Sequence, residues 1–309
     1  MPALNKNRIA CFISPHGYGH AARAAAVMEA FHLLDPEKEF EIFTTVPEWF
    51  FHHSLSGAFT YHPLLTDIGL VQETSLKVNL AETTARLDSF LPFNEEKISE
   101  LAHFVLERNC RLILCDISPM GILVARHAGI PSVLIENFTW DWIYEEYLSE
   151  HAGLHAHLSY LRELFLMADF HIQTQPVCCP RNVHLTTSPV SRKARTPREE
   201  TRRRLGIPPD AVVAMITMGG IPENFPFMDE LLKSILPVYP LGTLRGVTSG
   251  NPRSWCPTLK IICKDLPSKT ENSTKGLFSP ASLDCFPCNA SRDIPKTVRN
   301  RRHASSATS

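Results

Sequence analysis

Two histidines enclose a pair of glycines near the start of the chain, and these residue types could carry chemistry. His16, Gly17, Gly19 and His20 follow a strand-length apolar run at residues 9–13. Imidazole titrates near neutral pH, so a histidine in a loop is a candidate general base. Glycine lets the backbone approach a ligand, and the N–H groups that begin the following helix favour an anion or a polar hydroxyl. The segment therefore predicts a ligand site; a tight turn that only reverses the chain is the alternative.

A carboxylate follows a second apolar run. Residues 111–117 are predicted to form a buried strand that ends on Asp116, and Pro119 is typical of the first turn of the next helix. Because ligands of parallel sheets bind at the carboxyl ends of the strands, we expect Asp116 and the histidine loop to share one edge. There a carboxylate could orient an imidazole and stabilise its protonated form. The alternative is that Asp116 only caps the helix that begins near Pro119.

An aromatic run follows the next predicted strand. Residues 136–148 are dense in Trp and Tyr and follow the strand at residues 132–135 directly. Aromatic residues at this density usually belong to the core. Their position after a strand end predicts that some also line the ligand edge, where flat rings suit a sugar or a nucleobase.

Apolar periodicity alternates between strand and helix lengths along the first half of the chain. Strands are predicted at residues 9–13, 40–46, 59–65, 111–117, 132–135 and 170–174. Helices are predicted from residue 20 to 34, across 80–109 with a break near Pro92, and at 119–128 and 154–168. This alternation predicts an α/β fold with a parallel sheet that is covered by helices on both faces.

Composition divides the chain into three parts. Residues 1–190 form the first predicted domain, and residues 191–236 contain a linker followed by the start of a second domain. Gly219 and Gly220 follow an apolar run there, as the first glycines follow the first strand. Residues 237–309 are rich in Pro, Ser, Thr and charged residues, which predicts a disordered tail. We interpret the tail as sequence from a shifted reading frame or an aberrant splice, joined to a truncated enzyme.

The linker has a basic character of its own. Ser191, Arg192, Lys193 and Arg195 lie between the predicted domains and carry no apolar periodicity. We therefore expect these side chains to be solvated.

Charge and cysteine spacing exclude several function classes. The 309 residues carry a net charge of −1, so nothing in the bulk electrostatics favours nucleic acid or an anionic membrane. No apolar run reaches the length of a membrane span, and the expected location is cytoplasmic. The nine cysteines lack metal-ligand spacing and a secretory context, so neither a metal site nor a disulfide framework is expected. Cys11, Cys110 and Cys115 lie in apolar runs and are predicted to be buried thiols.

Three stretches carry a resemblance to a known family. They are PHGYGHAAR at residues 15–23, DISP at 116–119 with AGIP at 128–131, and NFTWDWIY at 137–144. Together they resemble the amino-terminal half of a GT-B glycosyltransferase. The likeness is strongest to the glycosyltransferase-like domain that precedes the sugar-kinase domain in plant L-arabinokinases, and to its stand-alone bacterial relatives. The resemblance covers about residues 8–224.

The resemblance implies two facing Rossmann-like domains, of which the first takes an acceptor and the second holds a nucleotide-sugar donor, UDP-linked. It implies that His20 deprotonates the acceptor hydroxyl with support from Asp116, and that no metal or other cofactor is needed. Gly219 and Gly220 match the glycine loop near the donor diphosphate. The other residues expected to bind substrate or donor are His16, Gly17, Gly19, Asn137 and Trp140.

The resulting functional expectation is transfer of a sugar from a nucleotide sugar to an acceptor hydroxyl, as in a hexosyltransferase. The later nucleotide-binding motif of the donor domain has no counterpart in the tail, so we expect this chain to be inactive alone. A non-catalytic sugar- or nucleotide-binding module is the alternative. A kinase has little support, because no phosphate loop is present. The expected partners are a small-molecule donor and acceptor.

Overall fold

The computed structural model describes residues 8–74 and 77–211. Seven strands of these ranges form one sheet in the order β3-β2-β1-β6-β7-β8-β9, and every neighbouring pair is parallel. Two further short strands form a separate antiparallel pair. The strands are β1 (Arg8–Ile13), β2 (Glu39–Thr44), β3 (Phe59–Pro63), β4 (Gln72–Thr74), β5 (Lys77–Val78), β6 (Cys110–Asp116), β7 (Ser132–Glu136), β8 (Phe170–Thr174) and β9 (Leu185–Thr187).

Helices connect the strands and cover both faces of the sheet. The first helix is rich in alanine, which has the highest helix propensity and a small side chain that lets a helix pack close to a sheet. Its buried Ala21, Ala25 and Met28 face the strands. The helices are α1 (Tyr18–Leu34), α2 (Glu48–Ser54), α3 (Leu80–Phe90), α4 (Glu95–Glu107), α5 (Pro119–Ala128), α6 (Trp140–Glu145), α7 (His155–Leu166) and α8 (Arg198–Leu205), with a 3₁₀ turn at Ala152–Leu154.

Two cores lie on opposite faces of the sheet. Successive side chains of β1 alternate between them, as the pleat of a strand requires. Cys11 and Ile13 join α1 and α2 on one face, whereas Phe12 joins the core built by α3 to α7 on the other. The central strands are buried on both sides, which explains why their sequences read as continuous apolar runs.

The predicted α/β class with a Rossmann-like parallel sheet is confirmed. The helical break expected near Pro92 separates α3 from α4. Cys11, Cys110 and Cys115 are buried free thiols, as predicted. The expected second domain, the tail, Gly219 and Gly220 lie outside the described residues. None of the helices in the described ranges is both long and apolar enough to cross a bilayer.

The prediction of solvated linker side chains was wrong for Arg192, which is half-buried, whereas Arg195 is exposed as expected. Arg192 donates a hydrogen bond of 2.8 Å to the Ser54 hydroxyl, and its guanidinium lies 4.7 Å from the centre of the Phe50 ring. Arg195 donates hydrogen bonds to the backbone carbonyls of His53 and Ser54 at the end of α2. Carbonyls at a helix C-terminus attract cations, so Arg195 binds there while its side chain remains exposed to water.

Replacing Gly121 by alanine is expected to lower the free energy of unfolding. A Cβ added there would lie 2.7 Å from Phe12 Cβ and 2.8 Å from Cys115 Sγ, so α5 would have to move away from the sheet. Overpacking of this kind costs up to about 3 kcal/mol, which exceeds the roughly 1 kcal/mol that alanine gains in helix propensity. Urea denaturation monitored by circular dichroism measures the difference.

The matched control is Gly129→Asn at the C-terminal end of the same helix. Gly129 has φ of +64° and no atom within 4 Å of an added Cβ, and asparagine tolerates this left-handed conformation. We expect a change below about 1 kcal/mol for the control. Equal stability of Gly121→Ala and wild type would show that the close packing of α5 on the sheet is not as described.

Candidate functional site

Polar side chains collect at the carboxyl edge of the parallel sheet. Ser14 follows β1, Asp67 follows β3, Asp116 ends β6, Asn137 follows β7 and Thr174 ends β8. Four of the five are buried, and Asn137 is half-buried. Buried polar groups cost free energy unless they are paired, so the hydrogen bonds among them determine what this edge can do.

The structure brings His20 and Asp116 together. Gly17, with φ of +83°, occupies the position before α1, so His20 lies in the first turn of that helix. His20 Nδ1 lies 3.0 Å from Asp116 Oδ1, and each side chain is only 3% exposed. If Nδ1–H donates to the carboxylate, Nε2 carries the lone pair of the neutral ring. This is the tautomer that a general base requires.

Arg23 joins the pair one helical turn after His20. Its Nε and Nη2 donate to the two oxygens of Asp116 at 2.8 and 2.5 Å, and its Nη1 donates to Asn137 Oδ1 at 2.7 Å. Two parallel bonds from a guanidinium fix a carboxylate in both position and orientation. Asp116 therefore holds its place through Arg23 as well as through His20.

The charge state of Asp116 follows from these contacts. Burial raises the pKa of the carboxyl, but the Arg23 guanidinium and the His20 hydrogen bond outweigh burial and leave the pKa below its ordinary value. The carboxylate is therefore ionised at neutral pH. The alternative in which Asp116 only caps α5 does not describe the structure, because Ser118 occupies the N-cap position and Asp116 bonds to α1.

The backbone just after Asp116 is strained. Ile117 has φ of +44° although it is β-branched, and its side chain is fully buried. A β-branched residue in this region is a true outlier and costs about 1–3 kcal/mol. Such strain persists where the surroundings over-determine the backbone, and it concentrates at functional sites. The outlier supports a functional role for this strand end.

His16 and Trp140 pack against each other beneath a short loop. Their ring centres lie 5.0 Å apart in an edge-to-face arrangement, and Trp140 is 2% exposed. Burial and the neighbouring His20 lower the pKa of His16 to about 4, so this imidazole is neutral at pH 7. A Cβ on Gly69, which has φ of +63°, would approach within 2.8 Å of His16 and 3.0 Å of Trp140. Only glycine lets the loop come this close.

Asp67 is a second carboxyl of the site that the sequence did not identify. It is 4% exposed, and its Oδ1 accepts a hydrogen bond of 3.0 Å from Ser14 Oγ. Its Oδ2 and the indole N–H of Trp140 are both buried, and the Trp140 N–H favours the ionised form of the Asp67 carboxyl. Burial raises the pKa of Asp67 to about 7, although the Ser14 hydroxyl acts in the opposite direction.

The remaining predicted residues differ in their surroundings. Gly19 is exposed, and an added Cβ would meet no atom within 4 Å, so packing does not require glycine there. Asn137 accepts a hydrogen bond from Arg23. Trp140 lies in the core. In the described ranges, no group of three or more His, Cys, Asp or Glu side chains could hold a metal ion.

Three residues of the site that were not identified from the sequence had usable signals. Arg23 lies three positions after His20, and residues at this spacing share one face of a helix. Asp67 follows the predicted third strand, and the rule that identified Asp116 applies equally to it. Thr174, whose Oγ lies 3.4 Å from Arg23 Nη1, also ends a predicted strand.

No protein-family model matches the chain. The chain is similar to an L-arabinokinase from Arabidopsis thaliana, with 29% identity over 225 residues that make up 70% of this chain and 21% of the relative. The likeness to plant L-arabinokinases expected from the motifs is therefore confirmed. The chain spans about a fifth of the length of this curated relative.

Two of the solved structures that are similar to the chain are MurG and UGT89C1. MurG from Acinetobacter baumannii has 15% identity and a TM-score of 0.36, with 76% of this chain and 60% of MurG covered. UGT89C1 from Arabidopsis thaliana, complexed with UDP, has 12% identity and a TM-score of 0.48, with 81% and 67% covered.

Proposed function

We propose that this chain forms the acceptor side of a GT-B glycosyltransferase that uses a nucleotide sugar, with His20 as the general base. The observation that carries the proposal is the 3.0 Å contact between His20 Nδ1 and Asp116 Oδ1 at the carboxyl edge of the sheet. The three motif stretches and the similarity to a plant L-arabinokinase support it. In this proposal residues 1–190 are the acceptor domain.

The proposed step is a direct displacement. His20 Nε2 takes the proton of an acceptor hydroxyl as the hydroxyl oxygen bonds to the anomeric carbon of the donor sugar. The bond from that carbon to the nucleoside diphosphate breaks, and the diphosphate leaves with the electron pair. Asp116 keeps the imidazole in the required tautomer, and Arg23 keeps Asp116 in place. Gly219 and Gly220, outside the described residues, are the proposed contacts to the leaving diphosphate, which UDP would supply.

Because His20 and Asp116 are buried, the proposed reaction requires a route by which the acceptor reaches them. His20 is 3% exposed, so the acceptor hydroxyl must enter a site that is closed in this structure. Gly19, directly before His20, faces open space and marks the side from which a ligand can approach the backbone. We propose that the acceptor enters there and that His16, Gly17 and Trp140 shape the site around it.

A non-catalytic sugar- or nucleotide-binding module is the second candidate. The observation that favours it is the double hydrogen bond between Arg23 and Asp116, which would tie α1 to β6 even if no proton were ever transferred. In this alternative the polar edge holds a ligand, and His20 serves only as part of the buried network.

An activity screen with the full chain separates the two functions. The protein is incubated with UDP-sugars and monosaccharide acceptors, and both UDP release and the mass of the acceptor are measured. The proposal predicts a gain of one sugar mass that depends on both substrates. Transfer would overturn the expectation that this chain alone is inactive, whereas calorimetric binding of an acceptor or a UDP-sugar without any transfer would favour the module. Absence of both binding and transfer would exclude both functions.

A further inference from the structure

If Asp116 is the only carboxylate that acts on His20, little net negative charge is left to stabilise a protonated imidazole. Arg23 donates to both oxygens of Asp116, so the two groups together carry little net charge. Arg23 Nη2 also lies 3.4 Å from His20 Nδ1. A cation at that distance disfavours a second positive charge on the imidazole. A base that must accept a proton here needs negative charge from elsewhere.

Asp67 is placed to supply that charge. Ser14 joins it to the rest of the site, because the Ser14 hydroxyl donates to Asp67 Oδ1 while the Ser14 backbone N–H donates to the Asp116 carbonyl at 3.1 Å. The loop that carries Asp67 is fixed at both sides of it. Thr66 Oγ1 donates to the carbonyl of Ile13 at 2.8 Å, and the Tyr144 hydroxyl donates to the carbonyl of Gly69 at 2.8 Å.

The partners of Asp67 differ from those of Asp116. Among the described residues no lysine or arginine neutralises Asp67 in the way that Arg23 neutralises Asp116. The His20 imidazole is the neighbour whose positive charge would stabilise the ionised Asp67 carboxyl. Because electrostatic coupling is mutual, an ionised Asp67 must stabilise a protonated His20 by the same amount.

We propose that Asp67 is a positioning residue of the site whose negative charge stabilises the protonated form of His20. The catalytic consequence of this inference rests on the proposed function, whereas the coupling between the two side chains does not. In the reaction, the proton of the acceptor hydroxyl moves to His20 Nε2, and Asp67 offsets the positive charge that appears on the ring. No electrons enter or leave the protein in this step.

The surroundings of both groups are consistent with this role. The groups that face His20 include Arg23 on its own helix, His16 in the preceding loop, Asp116 at the end of β6, and Asp67. The groups that face Asp67 are His20, Asp116 and, from α6, Tyr144. Burial raises the pKa of Asp67 to about 7, so this carboxyl can change its charge near neutral pH.

Proton uptake by His20 in the full chain tests the proposal without any need for transfer activity. Histidine labelled with ¹³C is followed by NMR between pH 4 and 9 in wild type and in Asp67→Asn, which has nearly the same shape but no charge. We expect the pH midpoint for His20 to fall by about one unit or more in the variant. Asp88→Asn, which removes the exposed 2.7 Å partner of His157 on α3, should leave His20 unchanged.

An unchanged His20 midpoint in Asp67→Asn would overturn the proposal. If that variant does not fold, the ¹³Cγ resonance of Asp67 in wild type provides the second measurement. Coupled groups titrate in two steps that both resonances report, so Asp67 and His20 should show the same pair of midpoints. A single step for Asp67 below about pH 5 would contradict the proposal. Failure of the activity screen alone would refute the transferase function and leave the coupling intact.

Discussion

Replacing His20 by glutamine is expected to lower the turnover number for sugar transfer by about 10²–10⁴-fold, the usual contribution of a general base. Glutamine can keep a hydrogen bond to Asp116 in place of the 3.0 Å contact from Nδ1, but it cannot accept the acceptor's proton. The acceptor and donor should still bind, so the Michaelis constants should change little. Steady-state kinetics with the donor and acceptor found in the activity screen measures both quantities.

A matched substitution controls for the loss of any histidine from the protein. His103 is exposed on α4 and contacts Glu107 at 3.2 Å, far from the carboxyl edge of the sheet. His103→Gln should retain the wild-type turnover number. Wild-type turnover in His20→Gln would exclude His20 as the base, and loss of folding in that variant would be visible as a lower midpoint in thermal unfolding.

The sequence was enough to predict which edge of the sheet holds the candidate site, but not which side chains contact one another there. His20 and Asp116 are 96 positions apart, yet both could be placed at one edge because parallel strands end on the same side of a sheet. That rule needs only the order and direction of the strands. It carries no information about which side chains meet there, because the pattern of apolar residues does not report side-chain direction beyond the face of the strand.

Arg23 and Asp67 show why the interior was not predicted. The two hydrogen bonds from Arg23 to Asp116 depend on the distance between α1 and β6. Small alanine side chains set that distance through packing. The burial of Asp67 depends on a loop that Gly69 brings against His16. Neither distance follows from local propensity, since both arise from the way separate elements pack together.

The aromatic run at residues 136–148 also shows that burial cannot be predicted from a sequence pattern alone. Its density predicted a core role and its position predicted a place near the ligand edge. Trp140 combines the two, because it is buried yet contacts His16 of the histidine loop. A sequence pattern gives the element to which an aromatic side chain belongs, whereas the extent of its burial depends on the neighbours that cover it.

The ion pair between Arg23 and Asp116 also determines how stability depends on pH. Burial alone would raise the pKa of Asp116, and the contacts from Arg23 and His20 bring it below the ordinary value. A carboxyl whose pKa is lower in the folded state than in the unfolded state stabilises the fold above the unfolded pKa of about 4. That contribution is lost as the pH falls through the folded pKa.

Arg23→Met is expected to lower the free energy of unfolding by about 3–5 kcal/mol at pH 7, because it leaves the buried Asp116 carboxylate without its cation. Methionine keeps most of the volume of the arginine stem, so the loss reports the missing charge and hydrogen bonds more than a cavity. Adding Asp116→Asn to Arg23→Met removes the uncompensated charge and should restore at least half of the lost stability, which urea denaturation of the three proteins measures. The control is Arg86→Met, since the pair of Arg86 with Glu82 is exposed on α3 and should be worth less than about 1 kcal/mol. A double variant no more stable than Arg23→Met, or an Arg23→Met protein as stable as wild type, would contradict an ion pair that carries this part of the fold.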